Sequence, residues 1–464
     1  MGEDNKGKID LSQFLYIDGD TDKVSLNDYK IVQYIKENEH IFIMGGIPYI
    51  YEKGVYRIDA AGSKLKTMIR DLLVTKYKKS PVIKRIYDLF MLDNAVWIKP
   101  EELNRFPAEW IPFRNGYYDP TSRKMISHDP KYRTTIQIPH DYEPEGTFQG
   151  DMIQNWLSFI CDDEEDREML MQFAGLCLTR DTSQQKFLIL NGEGGTGKSL
   201  VIRMIDAMIG EDNISNISLH QLSQRFAAFG LLNKLLNSCA DLETDALQDV
   251  SILKKVLGED RISAEAKGKD AIMFRSFAKL IFSTNELPLI KAEKTNGFYR
   301  RLLVLTMNKV PEKKDTEFFN KLSAYMDDFI RLSVEALERL YQNRIILESK
   351  NSIEAVKKLR CESDTVEAYL EAKIIKVPDN KEARITKGSL YLNYEEYTRE
   401  MDGSPLPKGE FFRSIKMKGI GEIKTGGLRY FKGIMYLENA PKNALNMTHS
   451  EYMSAEGIQI PFDL

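Results

Sequence analysis

The stretch LILNGEGGTGKSLVIRMI, residues 188–205, constrains the fold more than any other part of the chain. It contains the complete pattern G-x-x-x-x-G-K-[ST], formed by Gly192, Gly197, Lys198 and Ser199. Four apolar residues precede the pattern as a short strand, and apolar residues recur after it at helical spacing. A strand, a glycine-rich turn and a helix in this order predict an α/β fold whose central parallel sheet is flanked by helices and carries a phosphate-binding loop.

The residue types of this loop suit a nucleotide. Glycines let successive backbone N–H groups turn toward phosphate oxygens, and the N-terminus of the following helix adds partial positive charge. Lys198 supplies a mobile cation, and the Ser199 hydroxyl is a ligand for Mg²⁺. We therefore expect ATP and Mg²⁺ as cofactors. The predicted nucleotide-binding residues are Gly192, Glu193, Gly194, Gly195, Thr196, Gly197, Lys198, Ser199 and Leu200.

Bulk composition narrows the class of protein only a little. The 464 residues are 42% hydrophobic and 29% charged, which predicts a globular chain of about three domains. No apolar run of about 18 or more residues occurs and the N-terminal residues are charged, so we expect a soluble cytoplasmic protein with no membrane contact. The four cysteines lie far apart, which supports neither a disulfide framework nor a zinc site. With a net charge of −4, any contact with nucleic acid must come from local basic patches.

The chain divides into three predicted regions. Residues 1–150 mix helices with a small antiparallel sheet over 41–58, and their role cannot be predicted from the residue pattern. Residues 151–345 contain the phosphate loop. Residues 346–464 begin with helices and change character after a break at 378–380.

Three alternating aspartates in the first region raise the question of a metal site. Asp18, Asp20 and Asp22 do not form a calcium loop, because Lys23 stands where glycine is required and Tyr29 where glutamate is required. A two-metal primase site needs more chain around the acids and a second catalytic strand. We interpret the cluster as an acidic surface turn and find no primase site.

A second strand ends in candidate acids. In LLNSCADLETD, a moderately apolar strand leads to Asp241, with Glu243 two positions further on. Nucleotide hydrolysis needs a carboxylate near the Mg²⁺ and another that positions the attacking water. Asp241 is our metal candidate and Glu243 our base. Asp245 is a weaker alternative for the base, and a surface acidic loop is the structural alternative.

Two later strands supply further candidates. AKLIFSTNELP is an apolar strand that ends at Thr284 and Asn285, and an amide there can hold the attacking water or the γ-phosphate. NGFYRRLLVL places Arg300 and Arg301 beside another apolar strand, an arrangement that suits an arginine finger reaching a neighbouring subunit's nucleotide. A turn asparagine and a structural salt bridge are the respective alternatives.

Basic residues concentrate at two further places. Strand-like runs flank Lys267 and Lys269, which predicts a hairpin tip that either follows DNA phosphates through a channel or is merely solvated. Near the C-terminus a helix, a turn, a second helix and a hairpin form a winged-helix pattern. The DNA-binding candidates on its second helix are Lys408, Arg413, Lys416 and Lys418. Many such domains bind protein instead.

The order of these features resembles the superfamily III helicases of the AAA+ class. It is most similar to the phage, plasmid and mobile-element branch that is related to poxvirus primase-helicases. Besides the phosphate loop, the segments NGYYDP, IQIPHDYEPEG, LKKVLGEDRISAE, TNELP and FYRRL carry the resemblance, which covers roughly residues 110–310. The chain departs from many relatives at Thr196, where they have asparagine, and at Met307, where they have phenylalanine. Members of this branch often have a primase domain ahead of the helicase.

The resemblance implies an ATP-dependent DNA helicase that forms a hexameric ring and moves 3′ to 5′ on single-stranded DNA during replication of a phage, plasmid or other mobile element. It also implies that Arg300, seven residues before Met307, is the arginine finger. The implied partners are single-stranded and forked DNA, further copies of the chain and a separate primase or initiator. The alternative functions are an ATP-dependent origin-binding initiator or loader without processive unwinding, and a metabolic P-loop kinase.

Overall fold

The fold is described from a computed structural model. It describes residues 9–20, 22–224, 227–240, 242, 251–258, 260–264, 272–290, 296–378, 380, 382–401 and 403–439. Within these residues no helix is both long enough and apolar enough to span a lipid bilayer.

The N-terminal part is a small mixed α/β unit with its own core. Its elements are β1 (Leu15–Ile17), β2 (Val24–Leu26), α1 (Asp28–Asn38), β3 (Ile41–Met44), β4 (Ile47–Glu52), β5 (Val55–Ile58), α2 (Ser63–Asp71) and α3 (Ser80–Met91). Strands β3, β4 and β5 form an antiparallel sheet joined by tight turns, in which Gly46 and Gly54 adopt positive φ. Helices α1, α2 and α3 bury Ile31, Leu65 and Phe90 in one apolar cluster. The hairpin pattern predicted for 41–58 is confirmed.

A second antiparallel sheet packs into the core of the next region. It consists of β6 (Ile111–Phe113), β7 (Gly116–Asp119) and β8 (Lys124–Ile126), and it is followed by α4 (Met152–Ile160) and α5 (Glu164–Cys177). Phe113 and Tyr117 share one hydrophobic cluster with Trp156, Phe173 and Leu188. The predicted boundary at 150/151 therefore runs through a continuous core.

A parallel five-stranded sheet forms the centre of the molecule. Its elements are β9 (Phe187–Asn191), α6 (Lys198–Ile209), β10 (Ile214–Ser215), β11 (Leu236–Cys239), β14 (Lys279–Thr284) and β15 (Leu302–Thr306). The strand order is β10-β11-β14-β9-β15, and every neighbouring pair is parallel. β9 and β14 are buried along nearly their whole length, because parallel strands in the middle of such a sheet are covered on both faces.

Shorter elements complete this region. They are α7 (Ser251–Leu257), the antiparallel pair β12 (Arg261–Ala264) and β13 (Ile272–Arg275), α8 (Asn296–Tyr299), α9 (Phe318–Ser323) and α10 (Met326–Asn343). The long helix α10 packs along α5 and buries Phe329, Val334 and Leu337. The helical pattern predicted over 152–178 is resolved into two helices, which are separated near Cys161.

The C-terminal part forms a separate apolar cluster. Its elements are α11 (Lys350–Ser363), α12 (Thr365–Lys373), β16 (Ile374–Lys376), β17 (Arg384–Thr386), α13 (Lys387–Glu400), α14 (Lys408–Met417), β18 (Glu422–Thr425), β19 (Leu428–Lys432) and β20 (Ile434–Tyr436). α11 packs on β15 of the central sheet, whereas Tyr369, Tyr394 and Phe411 belong to the C-terminal cluster. β17, β19 and β18 form a three-stranded antiparallel sheet beside α13 and α14.

Candidate nucleotide-binding site

A large cleft lies at the carboxyl edge of the central sheet. After β9 the chain passes through α6 to β10 at the far side of the sheet, while β15 pairs with the opposite side of β9. Ligands of open α/β sheets bind where the chain reverses its strand order in this way. The cleft measures about 1080 Å³. It is lined by residues 194–200 of the loop and by Ala240, Leu242, Ser283, Thr284 and Asn285 from the neighbouring strands.

The loop between β9 and α6 depends on glycine. Gly192, Gly195 and Gly197 have φ of 153°, 90° and 95°, which favours residues without a Cβ. A Cβ on Gly192 would lie 2.2 Å from the Met307 carbonyl oxygen, so only glycine fits there. The Thr196 hydroxyl donates to the carbonyl of Glu193 at 3.0 Å and closes the turn. The loop thus has the backbone geometry of an anion cradle.

Lys198 connects this loop to β14. Its Nζ donates to the carbonyl oxygens of Gly192 at 2.5 Å and Glu193 at 2.9 Å, and to Asn285 Oδ1 at 3.0 Å. Burial lowers the pKa of the Lys198 ammonium below its ordinary value. The ammonium is therefore held at the carboxyl edge by neutral acceptors, and a negatively charged phosphate would be a stronger partner for it.

Ser199 lies in the first turn of α6 and is exposed toward the cleft, so its hydroxyl suits a metal ligand. Asp241 and Glu243, the predicted metal ligand and base, lie outside the described residues, as does the alternative base Asp245. Ala240 and Leu242, on either side of Asp241 in the sequence, both line the cleft. Within the described ranges no group of three or more His, Cys, Asp or Glu side chains is arranged as a metal site.

Hydrogen bonds tie this segment to the end of β14. The Ser283 hydroxyl donates to the Ala240 carbonyl, and the Leu242 N–H donates to the Ser283 carbonyl at 2.9 Å. The Thr284 hydroxyl also donates to the Glu286 carbonyl at 2.6 Å, which turns the chain directly after Asn285. Asn285 is thereby exposed at the cleft, next to Lys198, as the sequence position predicts.

The two predicted arginines have different environments. Arg301 is buried, and its guanidinium donates to the Gly297 carbonyl at 2.6 Å and to Gln185 Oε1 at 3.0 Å. Arg300 is exposed and does not line the cleft of its own chain. Of the two predicted catalytic arginines, Arg300 is therefore the exposed one, whereas the Arg301 guanidinium is bonded within its own chain.

The predicted DNA-contacting residues differ in their exposure, and two of them lie outside the described residues. β12 and β13 pair as the hairpin pattern predicts, but Lys267 and Lys269, the residues predicted for its tip, lie outside the described residues. Lys408, Arg413 and Lys416 are exposed on α14. The Lys418 side chain is only 4% exposed and bonds Asp364 at 2.7 Å and Glu367 at 2.5 Å. The prediction that Lys418 belongs to an exposed basic surface is corrected, because these carboxylates hold it inside the C-terminal unit.

The cleft also has a largely apolar wall that no sequence pattern predicted. α4 contributes Met152, Asn155, Trp156, Phe159 and Ile160, and the segment at α9 contributes Phe318 and Phe319. The Arg203 guanidinium, one helical turn beyond the loop, lies 3.9 Å from the centre of the Phe319 ring. Lys313 and Lys314 add two exposed cations. Only the pairing of α4 with α9 in space makes this apolar wall recognisable, because the two helices are about 160 residues apart in the sequence.

Comparisons with known proteins agree with a helicase relationship. Residues 30–162 match the family described as "D5 N terminal like", and residues 190–301 match a "Family of unknown function (DUF5906)". "Putative helicase L207/L206" of Acanthamoeba polyphaga mimivirus is 24% identical over 337 residues, which cover 66% of this chain and 34% of that protein. The chain therefore spans about a third of the length of this curated relative.

Solved structures show the same fold. The A form apo structure of the NrS-1 C-terminal region has a TM-score of 0.52 and 15% identity, and the match covers 87% of this chain and 98% of that one. A second A form apo structure of that region has a TM-score of 0.50, 14% identity and the same coverage. The chain thus has a mixed α/β fold with a parallel five-stranded sheet similar to the NrS-1 C-terminal region, and its sequence matches support a helicase-related family.

Proposed function

We propose that the protein is an ATP-dependent DNA helicase: a P-loop AAA+ motor of superfamily III type that acts as a hexameric ring and moves 3′ to 5′ on single-stranded DNA. The observation that carries the proposal is the bond from Lys198 Nζ to Asn285 Oδ1 at 3.0 Å. It joins a phosphate loop to a polar group on the adjacent strand, at the edge where hydrolysis would occur. The helicase name of the mimivirus relative gives independent support.

The cleft has groups that suit both the phosphates and the base of ATP. The loop and Lys198 would hold the β- and γ-phosphates, and the wall of Trp156, Phe159 and Phe319 would pack against the base. Ser199 and Asp241 would hold Mg²⁺, which neutralises charge on the phosphate oxygens when it is bound. The exposed Ser199 hydroxyl fits this role, and the neighbours of Asp241 line the same cleft.

The remaining roles concern water and charge. Glu243 would orient the attacking water and accept its proton, while the Asn285 amide would donate to the γ-phosphate. Arg300 of an adjacent protomer would stabilise the charge that develops as the phosphoryl group leaves. Its exposure outside its own cleft supports action between protomers, and hydrolysis would then require assembly of the ring.

DNA would be contacted at two places. Lys267 and Lys269 would follow the backbone phosphates of the translocating strand. The unit of α13, α14 and the β17-β19-β18 sheet would act as a winged helix, with exposed Lys408, Arg413 and Lys416 on the helix that approaches DNA.

A strand-displacement assay tests the proposal directly. The substrate is a forked DNA with a 3′ single-stranded tail, and wild-type protein is compared with Lys198→Ala, with and without ATP and Mg²⁺. Unwinding by wild type alone, only with ATP and Mg²⁺, is the expected result. ATP hydrolysis by wild type without any strand separation, on forks of either tail polarity, would contradict the helicase function and favour the initiator or loader.

A further inference from the structure

A basic segment of the N-terminal unit is not used by the proposed motor. Residues 63–91 contain eight lysines and arginines and two aspartates, although the whole chain has an excess of acids, 69 against 65 basic residues. The segment comprises α2, α3 and their connection, and nearly all of its charged side chains are exposed. A local excess of this kind in an acidic chain is a sign of a polyanionic partner.

The basic side chains converge on a groove between the two helices. This groove, which we call the α2–α3 groove, measures about 560 Å³. It is lined by Lys66, Thr67, Arg70, Ser80, Ile83, Lys84, Tyr87 and Asp88. Three cations therefore face one carboxylate, and the hydroxyl groups of Thr67 and Ser80 can donate further hydrogen bonds. Lysine, arginine and hydroxyl side chains are the common donors to backbone phosphates.

The cations have only weak competing partners among the described residues. The Lys66 ammonium donates to the Ala61 carbonyl at 2.9 Å and lies 4.6 Å from the centre of the Tyr87 ring. Arg70 pairs with its neighbour Asp71 at 2.8 Å, with both side chains more than half exposed. Exposed pairs contribute at most about 1 kcal/mol, so a phosphate can replace this carboxylate readily.

The start of α3 adds a second favourable element. α3 is 12 residues long and begins at Ser80, and no side chain caps its N-terminus. The partial positive charge of that terminus therefore stands at the mouth of the groove, next to the Ser80 hydroxyl.

The groove suits a duplex backbone better than an unpaired strand. Single-strand binding relies on exposed aromatic faces on which bases stack. Tyr87 is the one aromatic residue of the lining, and its ring is covered by Lys66 and packed against Gly62, where a Cβ would lie 2.6 Å from the ring. A membrane surface is also a poor match, because the apolar faces of both helices are buried in the core through residues such as Leu65 and Phe90.

We propose that the α2–α3 groove binds the sugar-phosphate backbone of double-stranded DNA, so that the N-terminal unit holds the duplex while the motor acts on one strand. The inference rests on the proposed function in taking DNA as the polyanion, and it adds a duplex-binding surface that the motor itself does not supply.

The test is duplex binding by the full-length protein without nucleotide. The groove variant carries Lys66→Ala, Arg70→Ala and Lys84→Ala, and binding to a fluorescent duplex of mixed sequence is followed by anisotropy across a range of NaCl concentrations. Each lost phosphate contact should lower the slope of log K against log[salt] by about 0.9, so the triple change should lower it by about 2 to 3 and weaken binding at least tenfold.

A charge-matched control separates the groove from general electrostatics. Lys30→Ala, Lys124→Ala and Lys358→Ala remove the same charge from exposed positions elsewhere. This control should bind duplex like wild type, and both triple variants should keep wild-type thermal unfolding and DNA-independent ATP hydrolysis. Equal weakening by the two variants, or retention of duplex binding by the groove variant, would overturn the inference. Binding to vesicles that contain phosphatidylserine is measured in parallel. A groove variant that loses vesicle binding but keeps duplex binding would also overturn the inference.

The outcome can be distinguished from the fate of the helicase proposal. Lys198→Ala should bind duplex as wild type does, because the groove lies outside the nucleotide cleft. If wild type fails to unwind forks but the groove variant loses duplex binding, the groove assignment stands and the helicase assignment fails. If wild type unwinds forks and the groove variant binds duplex normally, the helicase assignment stands and the groove assignment fails.

Discussion

Gly192 is constrained both by its backbone angle and by its neighbours. Its φ of 153° disfavours side chains, and the Met307 carbonyl oxygen would lie 2.2 Å from an added Cβ. That carbonyl cannot easily move, because β15 is fixed in register with β9 and the Met307 N–H donates to Asn191 at 2.7 Å. The start of the phosphate loop is therefore held by the sheet itself.

We predict that Gly192→Ala destabilises the protein by about 2 kcal/mol and abolishes ATP binding, because the loop must leave the sheet edge to relieve the contact. Urea unfolding and titration with a fluorescent ATP analogue measure the two effects. Gly194→Ala is the matched control for stability, since nothing lies within 4 Å of its added Cβ. Equal unfolding free energies for the two variants would contradict the prediction.

Lys279, at the start of β14, is a buried cation that no site role explains. Its ammonium donates to the carbonyl oxygens of Thr179 at 2.6 Å and Phe277 at 3.3 Å. Burial lowers the pKa of this lysine to about 8, and the nearby Cys177 and Asp181 oppose the shift. Below that pKa the folded protein carries a desolvated charge, which costs about 3 kcal/mol relative to the unfolded chain.

This shift gives a pH prediction with a definite sign. Between the folded pKa of about 8 and the unfolded pKa of about 10.4, the unfolded chain binds more protons, so stability rises with pH in that window. The free energy of unfolding of wild type minus that of Lys279→Met should therefore increase by about 2 to 3 kcal/mol between pH 7 and pH 10. Urea unfolding of both proteins at the two pH values measures it, and a constant difference would refute the buried-charge explanation.

At the scale of elements, the residue pattern predicted those strands and turns that depend on residues close together in the sequence. The antiparallel sheet over 41–58 follows from alternating apolar residues around two glycine turns, and the strand before the phosphate loop follows from an uninterrupted apolar run. The separation of α4 from α5 was missed because both are apolar on their buried faces. β16 was missed because its pairing partner β20 is about 60 residues away.

Sequence position also predicted only part of the candidate site. The phosphate loop and Asn285 stand at the ends of strands, where position in the sequence fixes position on the sheet edge. The α4–α9 wall and the burial of Arg301 arise from tertiary packing, which no local pattern reports. The same reason explains Lys418, whose basic neighbours in sequence suggested a DNA-facing surface while its partners lie on α12.

Lys418 instead joins the end of α14 to the start of α12. Asp364 caps α12, and Glu367 in its first turn also bonds Arg360 at 3.0 Å. We predict that Lys418→Met lowers the free energy of unfolding by about 2 to 3 kcal/mol, because two largely buried carboxylates lose their shared cation.

The exposed Lys416 is the matched control for this prediction. Its ion pair with Glu422 is more than half exposed on the lysine side, so Lys416→Met should change stability by less than about 1 kcal/mol. DNA binding should show the reverse order: Lys416→Met should weaken it more than Lys418→Met does. Chemical denaturation and DNA titration of both variants test this assignment, and similar unfolding curves would rule out the structural role of Lys418.

At the scale of the whole molecule, the described residues of one chain do not bring all of the proposed catalytic groups together in one cleft. Its cleft contains Lys198, Ser199 and Asn285, while the exposed Arg300 lies outside that cleft. Closed rings of identical chains bring a surface of one protomer repeatedly against a different surface of the next. Under the proposed function, Arg300 of each protomer would then complete the cleft of its neighbour.

A mixing experiment tests this sharing of the site. Arg300→Ala should bind ATP nearly as wild type does but lose at least 99% of hydrolysis, because one arginine finger contributes about 10³–10⁵ in rate. Lys198→Ala should be inactive for lack of its own phosphate contact. In random mixed rings made from equal amounts of the two variants, about a quarter of the interfaces pair an intact Lys198 cleft with an intact Arg300. ATP hydrolysis should therefore return on mixing, to at most about a quarter of the wild-type rate. If Arg300 served its own cleft, every protomer would lack one group and the mixture would stay as inactive as its parts.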